Sequence, residues 1–329
     1  MRLRRKRYIA RAIRKRRELR SVVNRTNQIR PGDILLFSTP RNEKVRLPYF
    51  LEYYRGLGVD HFFIVDNDSD DGAVPYLAAQ PDVSVWHTRA SYRRSRFGVD
   101  WLNYLKWRYA HNHWVLVVDP DEFFVYPFCD TRPLPALCDW LEDSDIRSFG
   151  AMLLDMYPKG RIGAQPYRAG QNPLEIASWF DAGNYSVKFN PRYENLWIQG
   201  GPRARMFFPG QPAKAPALNK TPLVKWKSNY VYLSSTHMLL PRGLNKVYDE
   251  KGGEKASGVL LHTKFLDTFG DKAKEELIRR QHYSGSVEYK AYADVLGSND
   301  PDLWCKWSEK YINWRQLEIL GLMSKGNWA

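Results

Sequence analysis

The sequence predicts an α/β fold with a mostly parallel central sheet flanked by helices. Three observations carry this. Short apolar runs alternate with stretches of helical periodicity from residue 33 to about 118, the pattern of βαβ units. The runs are apolar almost throughout, as in strands covered on both faces. Polar clusters fall just after several of them: Arg41-Asn42-Glu43, Asp66-Asn67-Asp68 and Asp119-Asp121-Glu122. In parallel sheets ligands bind beyond the carboxyl ends of the strands, so these clusters are expected to converge on one crevice.

Taken in order, D-I-L-L-F-S-T (33–39) reads as a buried strand, and L-P-Y-F-L-E-Y-Y-R-G-L-G (47–58) as a helix ending at Gly56 or Gly58. H-F-F-I-V-D (61–66) is a second strand, V-P-Y-L-A-A-Q (74–80) a short helix and V-S-V-W (83–86) a third strand. V-D-W-L-N-Y-L-K-W-R-Y-A (99–110) is helical, and W-V-L-V-V (114–118) is a fourth strand. Beyond residue 130 the alternation loosens. A helix is expected at 133–141 and a strand at 148–158 that ends its apolar run at Asp155. Residues 160–228 read as loops rich in Gly, Pro, Arg and aromatics, followed by strands at 230–237 and 258–265 and a helix at 271–283. No repeat and no linker divides 31–329, which is read as one domain.

The net charge of +14 suggests nucleic-acid binding until it is located. Residues 1–30 hold thirteen Lys and Arg against one acid, Glu18, while the rest holds 37 basic and 35 acidic residues. The body is nearly neutral, which argues against a surface that tracks a phosphate backbone. Residues 1–30 form a basic arm without the apolar core of a signal peptide. Its weak helical periodicity fits attraction to an anionic membrane surface or a solvated tail. No run of 18 apolar residues is present, so no spanning helix is expected. The three cysteines match no metal spacing and suit a reducing, cytoplasmic setting.

Residues 64–72, I-V-D-N-D-S-D-D-G, crowd acid into one turn. Counted from Asp66 as an EF-hand loop, position 6 is Asp71 rather than Gly and position 12 is Leu77 rather than Glu, so calcium is excluded on spacing. A solvated turn or a ligand rim is left. V-V-D-P-D-E-F (117–123) is the stronger signal. An apolar strand running into Asp-x-Asp places Asp119 and Asp121 at a sheet edge, where they can share Mg²⁺ or Mn²⁺ with substrate phosphates.

In this order, R-N-E, F-F-I-V-D-N-D-S-D-D-G, W-V-L-V-V-D-P-D-E-F and M-L-L-D-M-Y-P resemble a family-2-type glycosyltransferase with the GT-A fold, in the bacterial branch related to the family-92 enzymes. The likeness covers residues 33 to about 160 well and is looser through L-L-H-T-K-F. It implies a Rossmann-type nucleotide-binding half (about 31–130) and an elaborated acceptor-side half (about 131–329). It further implies a UDP- or GDP-sugar donor, a glycan, lipid-linked or protein acceptor, and Mn²⁺ or Mg²⁺ as cofactor. Arg41, Asn42, Glu43, Asp66 and Asp68 would border the nucleoside. Asp121 would ligate the metal, Asp119 would reach ribose or metal, and His262 would complete the set, with His237 as its competitor. Lys264, two residues on, would share a strand face with His262 and reach the diphosphate. An inverting transfer needs a general base; Asp155 fits, with Asp181 and Glu175 as alternatives. The Glu-Asp motif common in family 2 is missing, which leaves base and stereochemistry open. Arg203, Arg205, Lys220 and Lys225 would bind phosphate or acceptor, or merely line a solvated loop.

Two rivals stand. Asp-x-Asp after a strand is also the nucleophile signature of haloacid-dehalogenase-like phosphatases, although those place it near the amino terminus and follow it with smaller residues. A non-catalytic membrane- or nucleic-acid-binding protein would use the basic arm alone. The arm's expected place is the inner face of the membrane, with the enzyme peripheral to it.

Overall fold

The computed structural model describes residues 1–248, 255–279, 281, 287–298 and 300–328. Helix α1 (Arg2–Lys15) and strand β1 (Arg20–Val23) precede the expected alternation of β2 (Ile34–Ser38), α2 (Leu47–Leu57), β3 (His61–Asp66), α3 (Ala73–Ala78), β4 (Val83–His87), α4 (Val99–Tyr109) and β5 (Trp114–Val117). Next come β6 (Glu122–Val125), α5 (Leu134–Asp143), β7 (Ser148–Asp155), β8 (Trp179–Asp181), β9 (Tyr185–Asn190), β10 (Asn195–Gly200) and β11 (Asn219–Lys225). The chain closes with β12 (Val231–Ser234), β13 (Met238–Leu240), β14 (Gly258–His262), α6 (Phe269–Arg279), α7 (Val287–Ser298), β15 (Ser308–Lys310) and α8 (Trp314–Ile319).

Among the described residues one nine-stranded sheet runs β1-β4-β3-β2-β5-β11-β7-β14-β6. Strands β2, β3, β4, β5, β7 and β14 share one direction; β1, β11 and β6 oppose it. The predicted α/β class with a mostly parallel sheet is what is observed. Strands β2 and β3 are buried at every position because helices cover both faces. Helix α2 turns Leu47, Phe50, Leu51, Tyr54 and Leu57 inward, the i, i+3, i+4, i+7 spacing of one helical face. Gly58 ends it at φ +100, a left-handed cap that glycine adopts at no steric cost. Each fully buried residue of that stripe contributes roughly 1.5–3 kcal/mol, so Leu51→Ala would loosen the helix from the sheet. The opposite face packs α4 through Trp101, Leu102 and Leu105 against Phe37, Phe63 and Val115.

The second half departs from expectation in ways with physical causes. Residues 219–225, read as loop, form β11 in the middle of the sheet. Pro222 argues against a central strand because it cannot donate to the ladder. The chain accommodates it with a register shift between Lys220 and Leu223. Residues 230–237 do not join the sheet; β12 pairs with β13 as a separate ribbon. The helix expected over 271–283 spans Phe269–Arg279; residues 280, 282 and 283 lie outside the described residues. The basic arm is not a solvated tail: α1 packs on α4, and β1 adds to the edge of β4.

Candidate functional site

The topology brings the carboxyl ends of β2, β3, β4, β5, β7 and β14 to one edge of the sheet, together with the amino ends of the opposed β11 and β6. The polar residues gather there: Ser38, Asp66, Asn67, Glu122, Asp155, Lys220, His262 and Thr263 are all buried.

On the first half of that edge the three polar clusters do meet. Arg41 donates to the carbonyls of Asn67 (2.9 Å) and Asp68. The Asn42 amide donates to Ser69 Oγ (3.0 Å), and Asn42 Oδ1 accepts from Asp70 N (3.0 Å). Part of the acidic turn is turn chemistry: Asp71 accepts from Ala73 N at 2.9 Å and Lys44 N at 2.7 Å. Asp68 sits at φ +61 and faces Arg89 at 3.2 Å. Asp66 is different. It is fully buried; Oδ2 accepts from Ser69 N (3.2 Å) and faces His87 Nδ1 (2.9 Å), while Oδ1 has no partner. Ser38 Oγ and Thr39 Oγ1, at the neighbouring strand end, also lack partners. Buried polar atoms left unpaired cost on the order of 1–3 kcal/mol each, and these three lie at the adjoining ends of β2 and β3.

Helix α6 lies against this rim. Glu275 pairs with Arg41 (2.8 Å) and accepts from Asn42 (3.3 Å), Lys272 pairs with Glu43, and Arg279 donates to Asn67 Oδ1 (3.2 Å). Arg41, Asn42 and Glu43 therefore grip the acidic turn and α6. Glu43 also meets Arg46 at 3.2 Å, and Arg46 donates to the Thr263 carbonyl at 3.0 Å. Thr263 N in turn donates to the Asp121 carbonyl at 2.8 Å. One chain of bonds thus ties the first strand's loop to the Asp-x-Asp turn.

On the second half the charges are paired. Lys220, the residue that β11 delivers, meets Glu122 at 2.6 Å. Asp155 and His262 are register partners on β7 and β14, and His262 Nδ1 lies 2.6 Å from Asp155 Oδ1. Asp155 Oδ2 accepts from Arg203 Nε at 2.7 Å. His262 Nε2 faces Asp121 Oδ2 at 3.3 Å. Burial works against the charges of His262, Asp121, Asp155 and Lys220, and the neighbours override it. Asp121 and Asp155 raise the imidazole of His262. His262, with Arg46 and Lys272, holds Asp121 well below the usual carboxylate range. Arg203 and His262 lower Asp155. Asp119 goes the other way: burial, reinforced by Glu122, pushes it up to about 7.

Asp181 is held in the same manner as Asp155. It is fully buried, bonded to Arg205 Nε at 2.8 Å and to the Tyr157 hydroxyl at 2.5 Å. Arg203 and Arg205 come from one π-helical turn, Arg203–Phe207, so the two arginines reach the two carboxylates together. That turn follows Gly200, where a Cβ would strike the Asn184 carbonyl oxygen; the G-G-P-R-A-R stretch is a positioning device. Lys225 pairs with Glu142 at 2.5 Å, so Arg203, Arg205, Lys220 and Lys225 are all in ion pairs. Glu175 is exposed and accepts from Gln171 Nε2 at 3.0 Å. Lys264 does not share a strand face with His262, because β14 ends at His262; its ammonium lies over the Tyr292 and Phe269 rings. His237 bonds through Nδ1 to the Asn219 carbonyl (2.7 Å), and burial, aided by Lys220, pushes its pKa down to about 3. Sequence reading missed Lys220 as a partner of Glu122, and Arg203 and Arg205 as partners of carboxylates; the Pro within β11 and the Gly-rich turn hid the signal.

Among the described residues no group of three or more His, Cys, Asp or Glu side chains is arranged to hold a metal ion, so Asp119 does not complete a triad with Asp121 and His262. The pair alone still fits a divalent cation that keeps waters and substrate oxygens. Asp155 on Nδ1 leaves Nε2 toward Asp121, the arrangement by which an outer carboxylate fixes a ligating histidine. Two electron pairs 3.3 Å apart need a proton or a cation between them.

No family model matches the chain, and no curated protein matches it. Solved structures similar to it include a 4-diphosphocytidyl-2C-methyl-D-erythritol synthase, at 23% identity over 44% of this chain and 66% of that one, with a TM-score of 0.25. Another, described as a glucose-1-phosphate thymidylyltransferase from Bacillus anthracis in complex with a sucrose, is 10% identical over 88% of this chain and 95% of that one, with a TM-score of 0.29. The chain thus spans about two thirds of the first. At such scores the likeness carries no argument about activity.

Proposed function

We propose that the chain is a nucleotide-sugar-dependent glycosyltransferase of the GT-A type, moving a sugar from a UDP- or GDP-sugar to a hydroxyl of a glycan, lipid-linked or protein acceptor. The observation that carries this reading is the Asp121–His262 pair on the same sheet edge as the unpaired buried oxygens of Asp66, Ser38 and Thr39. Hydroxyls and base-edge groups of a nucleoside would satisfy those oxygens. Asp121 and His262 would hold Mn²⁺ or Mg²⁺, whose charge would offset that of the departing diphosphate.

The base assignment changes. Asp155 has both oxygens engaged, is 2% exposed and is lowered by Arg203 and His262; a hydroxyl cannot reach it, and its low proton affinity suits it poorly to general-base work. Its role in this reading is to orient His262. Asp181 is closed off likewise, which leaves Glu175, with a solvent-facing carboxylate, of the three candidates. The phosphatase rival would need Asp119 as a free anionic nucleophile, whereas burial drives that group toward its neutral form.

The deciding experiment is a thermal-shift screen of UDP- and GDP-sugars with and without Mn²⁺, followed by assay of nucleoside diphosphate release. A nucleotide-sugar at about 100 times its Kd should stabilise the protein by about 2.7 kcal/mol, and only with metal. Release of inorganic phosphate from monoesters, with no response to any nucleotide-sugar, would replace this reading with the phosphatase.

A further inference from the structure

The basic segment is a rigid part of the molecule. Ala12 is buried at 1% exposure, and Arg11 Nε reaches the fully buried Asp100 at 2.7 Å, where Arg96 joins it at 2.5 Å. Arg4 donates to the Tyr193 hydroxyl at 2.7 Å, Arg96 lies 4.2 Å over the Tyr8 ring, and Trp101 Nε1 donates to Glu18 at 2.8 Å. These contacts consume one face of α1. The opposite face leaves Lys6, Arg7, Arg14 and Arg17 exposed, with Leu3 at 73% and Met1 at 45% exposure. Exposed Arg93 and Arg94 of the β4–α4 loop extend it, joined by Arg11 Nη2 donating to the Arg94 carbonyl at 2.7 Å. Arg14, Arg17, Arg93 and Arg94, with Arg11 and Lys15, bound a groove of about 530 Å³ whose one acid is Glu18, already paired with Lys15.

We propose that this outward face of α1, with Arg93 and Arg94, docks on the anionic phosphate headgroups of a lipid bilayer. Each basic residue near such a surface gains on the order of 1 kcal/mol, within a screening distance of about 8 Å. A docked helix presents those charges in one plane without ordering a tail at the moment of binding. Leu3 and Met1 supply the aliphatic insertion that interfacial helices use. A nucleic-acid strand would call for aromatic stacking platforms beside the charges; the nearby Tyr8 ring is covered by Arg96 and Arg4. No helix among the described residues is long and apolar enough to cross a membrane. The β4–α4 loop also starts beside His87, the partner of Asp66, so docking would hold the candidate nucleotide edge close to the bilayer.

Truncation is a poor test, because Arg25 holds the carbonyls of Val83 and Ala78. Charge reversal on the exposed face is cleaner. The full chain is sedimented with vesicles of phosphatidylcholine alone or with about 30% phosphatidylglycerol, at about 0.15 M salt. Binding is expected to the anionic vesicles only, and to weaken in high salt. Lys6→Glu/Arg7→Glu/Arg14→Glu/Arg17→Glu should lower the partition by on the order of 100-fold or more, with unchanged melting temperature. Reversal of four exposed basic residues elsewhere, Lys188, Arg192, Lys214 and Lys274, should not. Equal binding to both vesicle types, unimpaired binding by the first variant, or preference for a short DNA duplex over the anionic vesicles would each overturn the proposal.

Discussion

The two halves of the central sheet solve opposite problems at the same edge. From β4 to β5 the strands are parallel and apolar, and the polar groups at their ends include three buried oxygens with no partner. From β11 to β6 the strands are mixed in direction and each end group is already matched: Lys220 with Glu122, Arg203 with Asp155, Asp155 with His262. Buried charge persists only when paired, so the second half is a finished scaffold that aims one histidine. The unpaired oxygens of the first half are the ones that the proposed nucleoside would complete. The difference teaches where to look for binding and where to look for positioning.

The sharpest way to break this comparison is at the point where the halves meet. Asp121→Asn removes the carboxylate facing His262 but no buried ion pair of the scaffold. Sugar transfer should fall to background while the melting temperature holds, read by nucleoside diphosphate release in Mn²⁺ and by calorimetry. Full activity would detach the metal pair from the chemistry.

Next in size is the scaffold itself. Lys220→Met strands Glu122 as a buried unpaired charge and should cost about 3–5 kcal/mol in denaturant unfolding. Ser38→Ala deletes a buried oxygen that has no partner and should lose no stability, gaining about 1 kcal/mol instead. Similar losses at both positions would mean that the halves do not differ as described.

Two buried histidines at opposite edges of the sheet extend the contrast to pH. His61, at the start of β3, faces Ser84 Oγ at 2.9 Å, and burial pushes it down to about 4. The folded state therefore resists a proton that the unfolded chain accepts near 6.5. Stability is lost as pH falls from about 6.5 to 4, by roughly 3 kcal/mol in total. His262 is raised instead, so its contribution is present at low pH and fades as pH rises through its folded value. His61→Gln should flatten the acid limb of the stability curve; an unchanged limb would rule out His61 as its cause.

A smaller effect separates positioning from base catalysis at Asp155. Losing an outer carboxylate that orients a metal-bound histidine typically weakens metal binding 10–100-fold. Asp155→Asn should show that loss by titration calorimetry with Mn²⁺. Intact metal affinity with slowed transfer would restore Asp155 as the base.

Much of the parallel half was legible because its signals are local: β3, α2 and α4 declare themselves by apolar runs and 3.6-residue spacing, and Gly58 marks a helix end. The Asp-x-Asp turn and His262 were also readable, since each follows an apolar strand. The pairings were not. That Asp155 is spent on His262 and Arg203 depends on β14 lying beside β7, a contact between residues 107 apart in sequence. Nor does the pattern of R-L-R-R-K-R announce a docked helix, because what holds α1 is Asp100, buried in the first turn of α4 and 89 residues from Arg11.

The smallest expected effect concerns the strand that the sequence concealed. Pro222 sits buried in β11 at the register shift, where β7 is paired through Asn219 and Lys220 on one side and Leu223 and Val224 on the other. Thr221 N donates to the Thr236 carbonyl at 2.8 Å, and Tyr232 donates its hydroxyl to the Thr221 carbonyl at 2.6 Å. The backbone beside the proline is thus already satisfied outside the sheet. Pro222→Ala adds an N–H where the chain has turned from the ladder and frees the unfolded state, so stability should drop by about 0.4–1 kcal/mol with Lys220 still on Glu122. A gain in stability would mean instead that the ladder closes across the shift, and that proline holds β11 open at a cost.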